Sequence, residues 1–200
     1  MAIRMLCLGD SYTIGESVPT SQRWPVQLAA RLRERGIDVA DPIIIAKTGW
    51  TTDELDAAID EANSKGRFDL VTLLIGVNNQ YRGRSAEEYR EQFSGLLARA
   101  IGFAGGRPDR VIVLSIPDWG VTPFAGDRDR AGIGREIDEY NRINKEETGR
   151  AGARYVDITP ISREAAGHPA LTAGDGLHPS GEMYRQWMDQ VAPVATQALQ

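Results

Sequence analysis

Cysteine is almost missing from this chain. Cys7 is the only one in 200 residues, which excludes an intramolecular disulfide. It lies inside an apolar run and reads as a small buried hydrophobe rather than a reactive thiol. Histidine is nearly as scarce, with only His168 and His178. No cluster of His, Cys and carboxylates has metal-ligand spacing, so no metal is expected. No apolar stretch is long enough to span a bilayer. Neither sign of charge forms a long block, and a net charge of -5 leaves no basic stripe for a nucleic-acid partner. No N-x-S/T sequon occurs. The opening MAIRMLCLGD enters an apolar run directly, without a signal peptide's charged region, long apolar region and cleavage site. A cytoplasmic protein is the expectation; a secreted chain trimmed of its signal peptide would show the same pattern. Nothing specifies an oligomeric state.

What is present suits one domain over residues 1–200, with 42% hydrophobic residues, enough for a sizeable core. Apolar runs alternate with amphipathic stretches. Strands are expected over 3–8, 42–46, 69–75, 110–116 and 153–156, the second short and buried. Helices are expected over 24–35, 51–64, 85–102, 131–150 and 180–199, the last kinked or restarted at Pro193. Thr51 to Glu54 and Ser85 to Glu88 fit capping boxes. Continuous apolar strands separated by helices indicate a mainly parallel, five-stranded sheet covered on both faces, a doubly wound α/β domain. Residues 117–129 lack clear periodicity, and a loop of that length is often functional, a lid being one form.

In open parallel sheets, ligands bind outside the carboxyl ends of the strands. Polar clusters follow each apolar run: Gly9-Asp10-Ser11, Lys47-Thr48-Gly49, Gly76-Val77-Asn78-Asn79, Pro117-Asp118-Trp119 and Asp157. All should share one rim. A serine nucleophile needs a base within hydrogen-bond reach, and the base an orienting partner. His178 has Asp175 three residues before it, across a turn containing Gly176. That spacing lets the carboxylate accept from one ring nitrogen while the other faces Ser11. Asp118 and Asp157 are alternative orienting groups, although Asp157 reads better as a cap for Thr159-Pro160. His168 has no carboxylate so placed and reads as solvated. The Ser11 and Gly49 N–H groups and the Asn78 carboxamide are candidate donors to an oxyanion. Asp10 reads as bonded within its own turn.

The blocks Gly9-Asp10-Ser11, Gly49, Gly76-Val77-Asn78 and Asp175-Gly176-Leu177-His178-Pro179 resemble those of the SGNH (GDSL-type) esterases and lipases, in order from Leu6 to about Ser180. The resemblance implies a three-layer flavodoxin-like fold and a serine hydrolase without a cofactor. Ser11 matches the nucleophile and an oxyanion donor, Gly49 and Asn78 the other donors, His178 the base and Asp175 the acid. Two positions depart from the family pattern. Tyr12 follows Ser11 where Leu or Ile is usual, and Asn79 stands where Asp is frequent; both are expected to alter the pocket wall. The G-x-S-x-G elbow of the α/β-hydrolase fold is absent.

Tyr12, Trp50 and Trp119, with Tyr81 and Phe124, lie near the expected rim and are candidate pocket walls, packing being the other reading of each. Arg82, Arg84, Arg128 and Arg130 read as a solvated loop face. Gly132-Ile133-Gly134 follows no strand and is not a dinucleotide loop. The leading expectation is hydrolysis of a small or medium acyl ester or thioester. A carbohydrate O-deacetylase of the same fold is second, and a non-catalytic small-ligand module third. A sugar-facing site would be open and rimmed by aromatics; a lipid-facing one would be a closed apolar slot.

Overall fold

The computed structural model describes residues 2–62 and 66–200. Five strands form one sheet: β1 (Met5–Asp10), β2 (Ile43–Lys47), β3 (Leu70–Leu74), β4 (Val111–Leu114) and β5 (Arg154–Val156). Their spatial order is β2-β1-β3-β4-β5, and every neighbouring pair is parallel. The helices are α1 (Ser11–Ile14), α2 (Trp24–Glu34), α3 (Thr52–Ala62), α4 (Val77–Tyr81), α5 (Ala86–Phe103), α6 (Arg130–Ala151), α7 (Thr159–Arg163) and α8 (Gly181–Leu199). Right-handed crossovers place α2 on one face of the sheet and α3, α5 and α6 on the other. The chain ends by returning α8 against α2. This is the expected doubly wound α/β architecture.

The core follows from the apolar runs. Every residue of β1, β3 and β4 is buried, as suits strands covered on both faces. On α6 the buried residues include Ile133, Ile137, Tyr140 and Ile143, spaced three or four apart. Both expected capping sites start helices. The Glu54 carboxylate accepts the Thr51 N–H at 2.9 Å, and Ser85 Oγ accepts the Glu88 N–H at 3.1 Å.

Several details differ from expectation. β1 ends at Asp10 rather than residue 8, because Gly9 and Asp10 still pair with Ala46 and Lys47. β2 is not a buried strand. It forms one edge of the sheet, where only Ile45 is buried and Ile43 is 41% exposed. α8 does not restart at Pro193. A proline there frees only the Asp189 carbonyl, and Asp189 and Pro193 both lie on the exposed side. The expected end of the helix over 51–64 falls partly outside the described residues. Among the described residues, no helix is long and apolar enough to cross a membrane.

In this strand order the connection direction reverses between β1 and β3, where a doubly wound sheet opens its crevice. The segments leaving β1, β2 and β3 therefore converge there, and the turn before α8 closes over them.

Candidate active site

The first segment is α1. Asp10 caps it, its Oδ1 accepting the Tyr12 N–H at 3.0 Å. The turn leaves no room for another residue at position 9, since a Cβ on Gly9 would collide with Thr13 Oγ1 and the Leu74 carbonyl. Ser11 thus starts a helix directly above the strand end. Asp10 is fully buried and its Oδ2 has no hydrogen-bond partner. Burial outweighs its backbone hydrogen bonds and pushes this carboxyl up to about 7.

The turn Ala173–Pro179 brings His178 to Ser11. His178 Nε2 lies 2.9 Å from Ser11 Oγ, and His178 Nδ1 lies 2.6 Å from Asp175 Oδ2. Ser11 and His178 are buried, with Asp175 more open at the turn. Asp175 Oδ1 accepts the N–H groups of Leu177 at 2.9 Å and His178 at 3.0 Å. Ser17 Oγ donates to Oδ2 at 2.6 Å. Partial burial opposes ionisation of Asp175, but the hydrogen bonds from Ser17, His178 and Leu177 outweigh it and hold the carboxyl well below the usual range. The other carboxylates weighed from sequence are engaged elsewhere. Asp118 accepts the Gly120 N–H and pairs with Arg163. Asp157 accepts the Ser115 hydroxyl and the Thr159 N–H; it lies one residue before the N-cap of α7, which is Ile158, so it makes a local turn bond rather than the expected cap. His168 is exposed and contacts only the Glu164 carbonyl through its ring.

Gly49 and Asn78 stand on the same cavity wall as Ser11 and His178. Gly49 has φ +86°, a conformation that side-chain-bearing residues rarely adopt. Its carbonyl accepts from Arg82 Nη2 at 2.6 Å, which turns the peptide and fixes the loop. Asn78 Nδ2 donates to the Trp50 carbonyl at 2.9 Å. That bond uses one amide hydrogen and leaves the other for a ligand. Asn79 does not reach the wall. It is fully buried, accepting the Thr52 N–H at 3.1 Å and donating to Thr52 Oγ1 at 2.6 Å, so it locks α3 to α4.

The cavity has a volume of about 170 Å³. Tyr12 and Trp119 line it, as do Tyr81 and Phe124; Trp50 does not, and contributes its carbonyl instead. Tyr12 meets the His178 ring edge-on at 5.5 Å between centroids. Trp119 is buried, whereas Tyr81 and Phe124 are 50% and 41% exposed at the mouth. The Arg128 guanidinium stacks 5.1–5.8 Å from the centroids of these three rings. Residues 117–129 are ordered as two short 3₁₀ turns, and Phe124 N–H donates to the Gly176 carbonyl at 2.9 Å.

Sequence reasoning missed Ser17 and the pinning role of Arg82, neither of which belongs to a recognisable block. Thr48 and Val77 lie on the expected rim, but their place on the wall, and that of Leu177, was not singled out, although adjacency to Gly49, Asn78 and His178 was an available signal. Among the described residues, no group of three or more His, Cys, Asp or Glu is arranged to hold a metal ion.

A buried Ser–His pair backed by a carboxylate at the more open turn, with hydrogen-bond donors on one wall, suits nucleophilic acyl transfer. The fold is shared with solved structures. TesA superposes with a TM-score of 0.76 at 20% identity, covering 98% of this chain and 99% of that one. The lipase/acylhydrolase from Enterococcus faecalis gives 0.74 at 19% identity over 98% and 95%. An acetylxylan esterase from Geobacillus stearothermophilus gives 0.68 at 20% identity over 98% and 94%. No curated protein matches the sequence at a significant level. The family model for GDSL-like lipases and acylhydrolases matches residues 7–186, and the chain belongs to that family.

Proposed function

We propose that this acylhydrolase cleaves short-acyl carboxylic esters through an acyl-enzyme on Ser11. The observation that carries the reading is the continuous line from Ser11 Oγ to His178 Nε2 at 2.9 Å and from His178 Nδ1 to Asp175 at 2.6 Å. Ser11 Oγ attacks the ester carbonyl as His178 Nε2 takes its proton. Asp175, ionised well into the acid range, holds the imidazole tautomer and stabilises the imidazolium. The oxyanion is received by the Ser11 and Gly49 N–H groups and by the free Asn78 amide hydrogen. The alcohol leaves with the proton from His178. A water then gives its proton to His178 as it attacks the acyl carbonyl, releasing the acid and returning Ser11.

The short acyl group is argued from size and lining. The cavity of about 170 Å³ is close to the roughly 150 Å³ of an engineered cavity that admits benzene. Its apolar contacts are Tyr12, Val77, Tyr81, Trp119, Phe124 and Leu177. A second reading, removal of O-acetyl groups from sugars, is favoured by the exposed rings of Tyr81 and Phe124, an open aromatic rim against which a sugar face can lie.

The test is hydrolysis of p-nitrophenyl esters from acetyl to long acyl by wild type and Ser11→Ala, with an acetylated oligosaccharide in parallel. Turnover should vanish in the variant and fall as the acyl chain lengthens. Equal rates in the two proteins would sink the Ser11 mechanism. Release of acetate from the sugar at a higher kcat/KM than from the aryl acetate would select the second reading.

A further inference from the structure

We propose that Ser17 is a positioning residue that fixes Asp175 for catalysis; this rests on the assignment of Asp175 as the partner of His178. Two independent observations point to it. Ser17 is, among the described residues, the single non-glycine residue with positive φ, at +63°. Such a conformation is unfavourable for an L side chain and persists where the surroundings demand it. The chain reaches it through the Gly15 C-cap of α1, itself at φ +65°. The result of this detour is the second observation. Ser17 Oγ lands 2.6 Å from Asp175 Oδ2, across a separation of 158 residues.

That oxygen also accepts from His178 Nδ1, while Oδ1 takes the Leu177 and His178 N–H groups. A carboxylate offers about four lone-pair sites, and here each is occupied. The backbone pair fixes Oδ1, and Ser17 holds Oδ2 together with the histidine. Because Asp175 is ionised, the serine must be the donor, and 2.6 Å is the length of a charge-assisted O–H···O⁻ bond. Without the hydroxyl, Oδ2 is free to rotate out of line with Nδ1 and to take up water. Ser17 is not on the cavity wall; it acts through Asp175.

The test separates the hydroxyl from the backbone. Ser17→Gly removes the hydroxyl and relieves the positive φ, whereas Ser17→Ala removes the hydroxyl and keeps the strain. Because Ser17 is exposed, water replaces part of the lost bond, so kcat should fall on the order of three- to tenfold in both variants with KM unchanged. Ser17→Gly should melt at or above the wild-type temperature, opposite in sign to its effect on kcat. In an Asp175→Ala background the same substitutions should have no further effect on kcat, because the group they act through is gone. Wild-type kcat in Ser17→Gly would overturn the proposal, as would an undiminished loss in the Asp175→Ala background. Wild-type kcat in Asp175→Ala alone would instead overturn the underlying assignment of Asp175, an outcome distinct from the other two.

Discussion

Replacing Asp175 with asparagine should be one of the most damaging changes that leaves the shape of the site intact. The reason lies in which oxygen the turn holds. Oδ1 accepts two backbone N–H groups, from Leu177 and His178 at 2.9 and 3.0 Å. An asparagine must keep its carbonyl there, since an amide NH₂ facing two donors is repelled. Its NH₂ group then falls at the Oδ2 position, 2.6 Å from His178 Nδ1. It can only donate, so Nδ1 must accept and the ring proton moves to Nε2. Nε2 then donates to Ser11 Oγ and cannot take its proton. The same tautomer reversal in a serine-protease triad costs about 10⁴ in kcat, or about 5 kcal/mol of barrier. The expectation for Asp175→Asn is therefore a kcat lower by about 10⁴ on a p-nitrophenyl ester, at little change in KM or melting temperature. The assay is steady-state hydrolysis at pH 8 with circular dichroism as the folding check. A folded Asp175→Asn protein within tenfold of wild type would refute the account of how the turn holds this carboxylate.

Two further outcomes follow from buried polar groups. Asp10 titrates near 7 in the folded protein and near 4 when unfolded, so between those values the unfolded chain has already released a proton that the native state keeps. Stability should therefore fall as pH rises from about 4 to 7 and level off above. Asp10→Asn keeps the acceptor for Tyr12 N–H and removes the titration, so its advantage over wild type should grow across that window towards about 4 kcal/mol; parallel urea-unfolding profiles for the two proteins would contradict this. Asn79→Ala leaves the buried Thr52 N–H without its acceptor, while the Thr52 hydroxyl keeps Gln92 as a partner, and should cost about 1–3 kcal/mol in guanidinium unfolding. A change below about 0.5 kcal/mol would mean that the lock between α3 and α4 carries no stability.

The strands, and the placing of Ser11, Gly49, Asn78 and His178 on one cavity wall, were readable for one physical reason. Ser11, Gly49 and Asn78 each lie within a few residues of the end of an apolar run, and a parallel sheet brings those ends to one edge. His178 and Asp175 are three residues apart, so a local turn suffices to join them. Longer helices announce themselves by period, whereas α1, α4 and α7, at four or five residues each, are too short to show one. The exposure of β2 was hidden because burial of a strand depends on its rank in the sheet, and a short apolar run looks the same at the edge and in the middle. Ser17 and Arg82 were hidden for a related reason. Each meets its partner across 158 and 33 residues respectively, and neither composition nor spacing reports such a meeting. Trp50 and Asn79 were misjudged in direction: both sit on the rim in sequence, yet one presents its carbonyl and the other turns into α3.

The same distinction between strand ends and loops separates chemistry from selectivity. Ser11 and Asn78 stand at the ends of central strands, while Tyr81 and Phe124 reach the mouth from α4 and from the 117–129 segment. Phe124 is also tied to the histidine turn, because its N–H bonds the Gly176 carbonyl in the turn that carries His178. Side-chain truncation leaves that backbone bond in place. Tyr81→Ala and Phe124→Ala should therefore keep kcat on the acetyl ester within a few-fold of wild type. They should also widen the mouth, raising kcat/KM for longer acyl chains relative to acetyl. One opened aromatic contact is worth about 0.5–1.5 kcal/mol, so the preference should move by roughly two- to tenfold. The Arg128 guanidinium spans both rings and Trp119, so Arg128→Ala should loosen the same wall and shift the profile in the same direction. A matched loss of kcat on every chain length, in any of the three variants, would mean that the rim supports the histidine turn rather than the substrate.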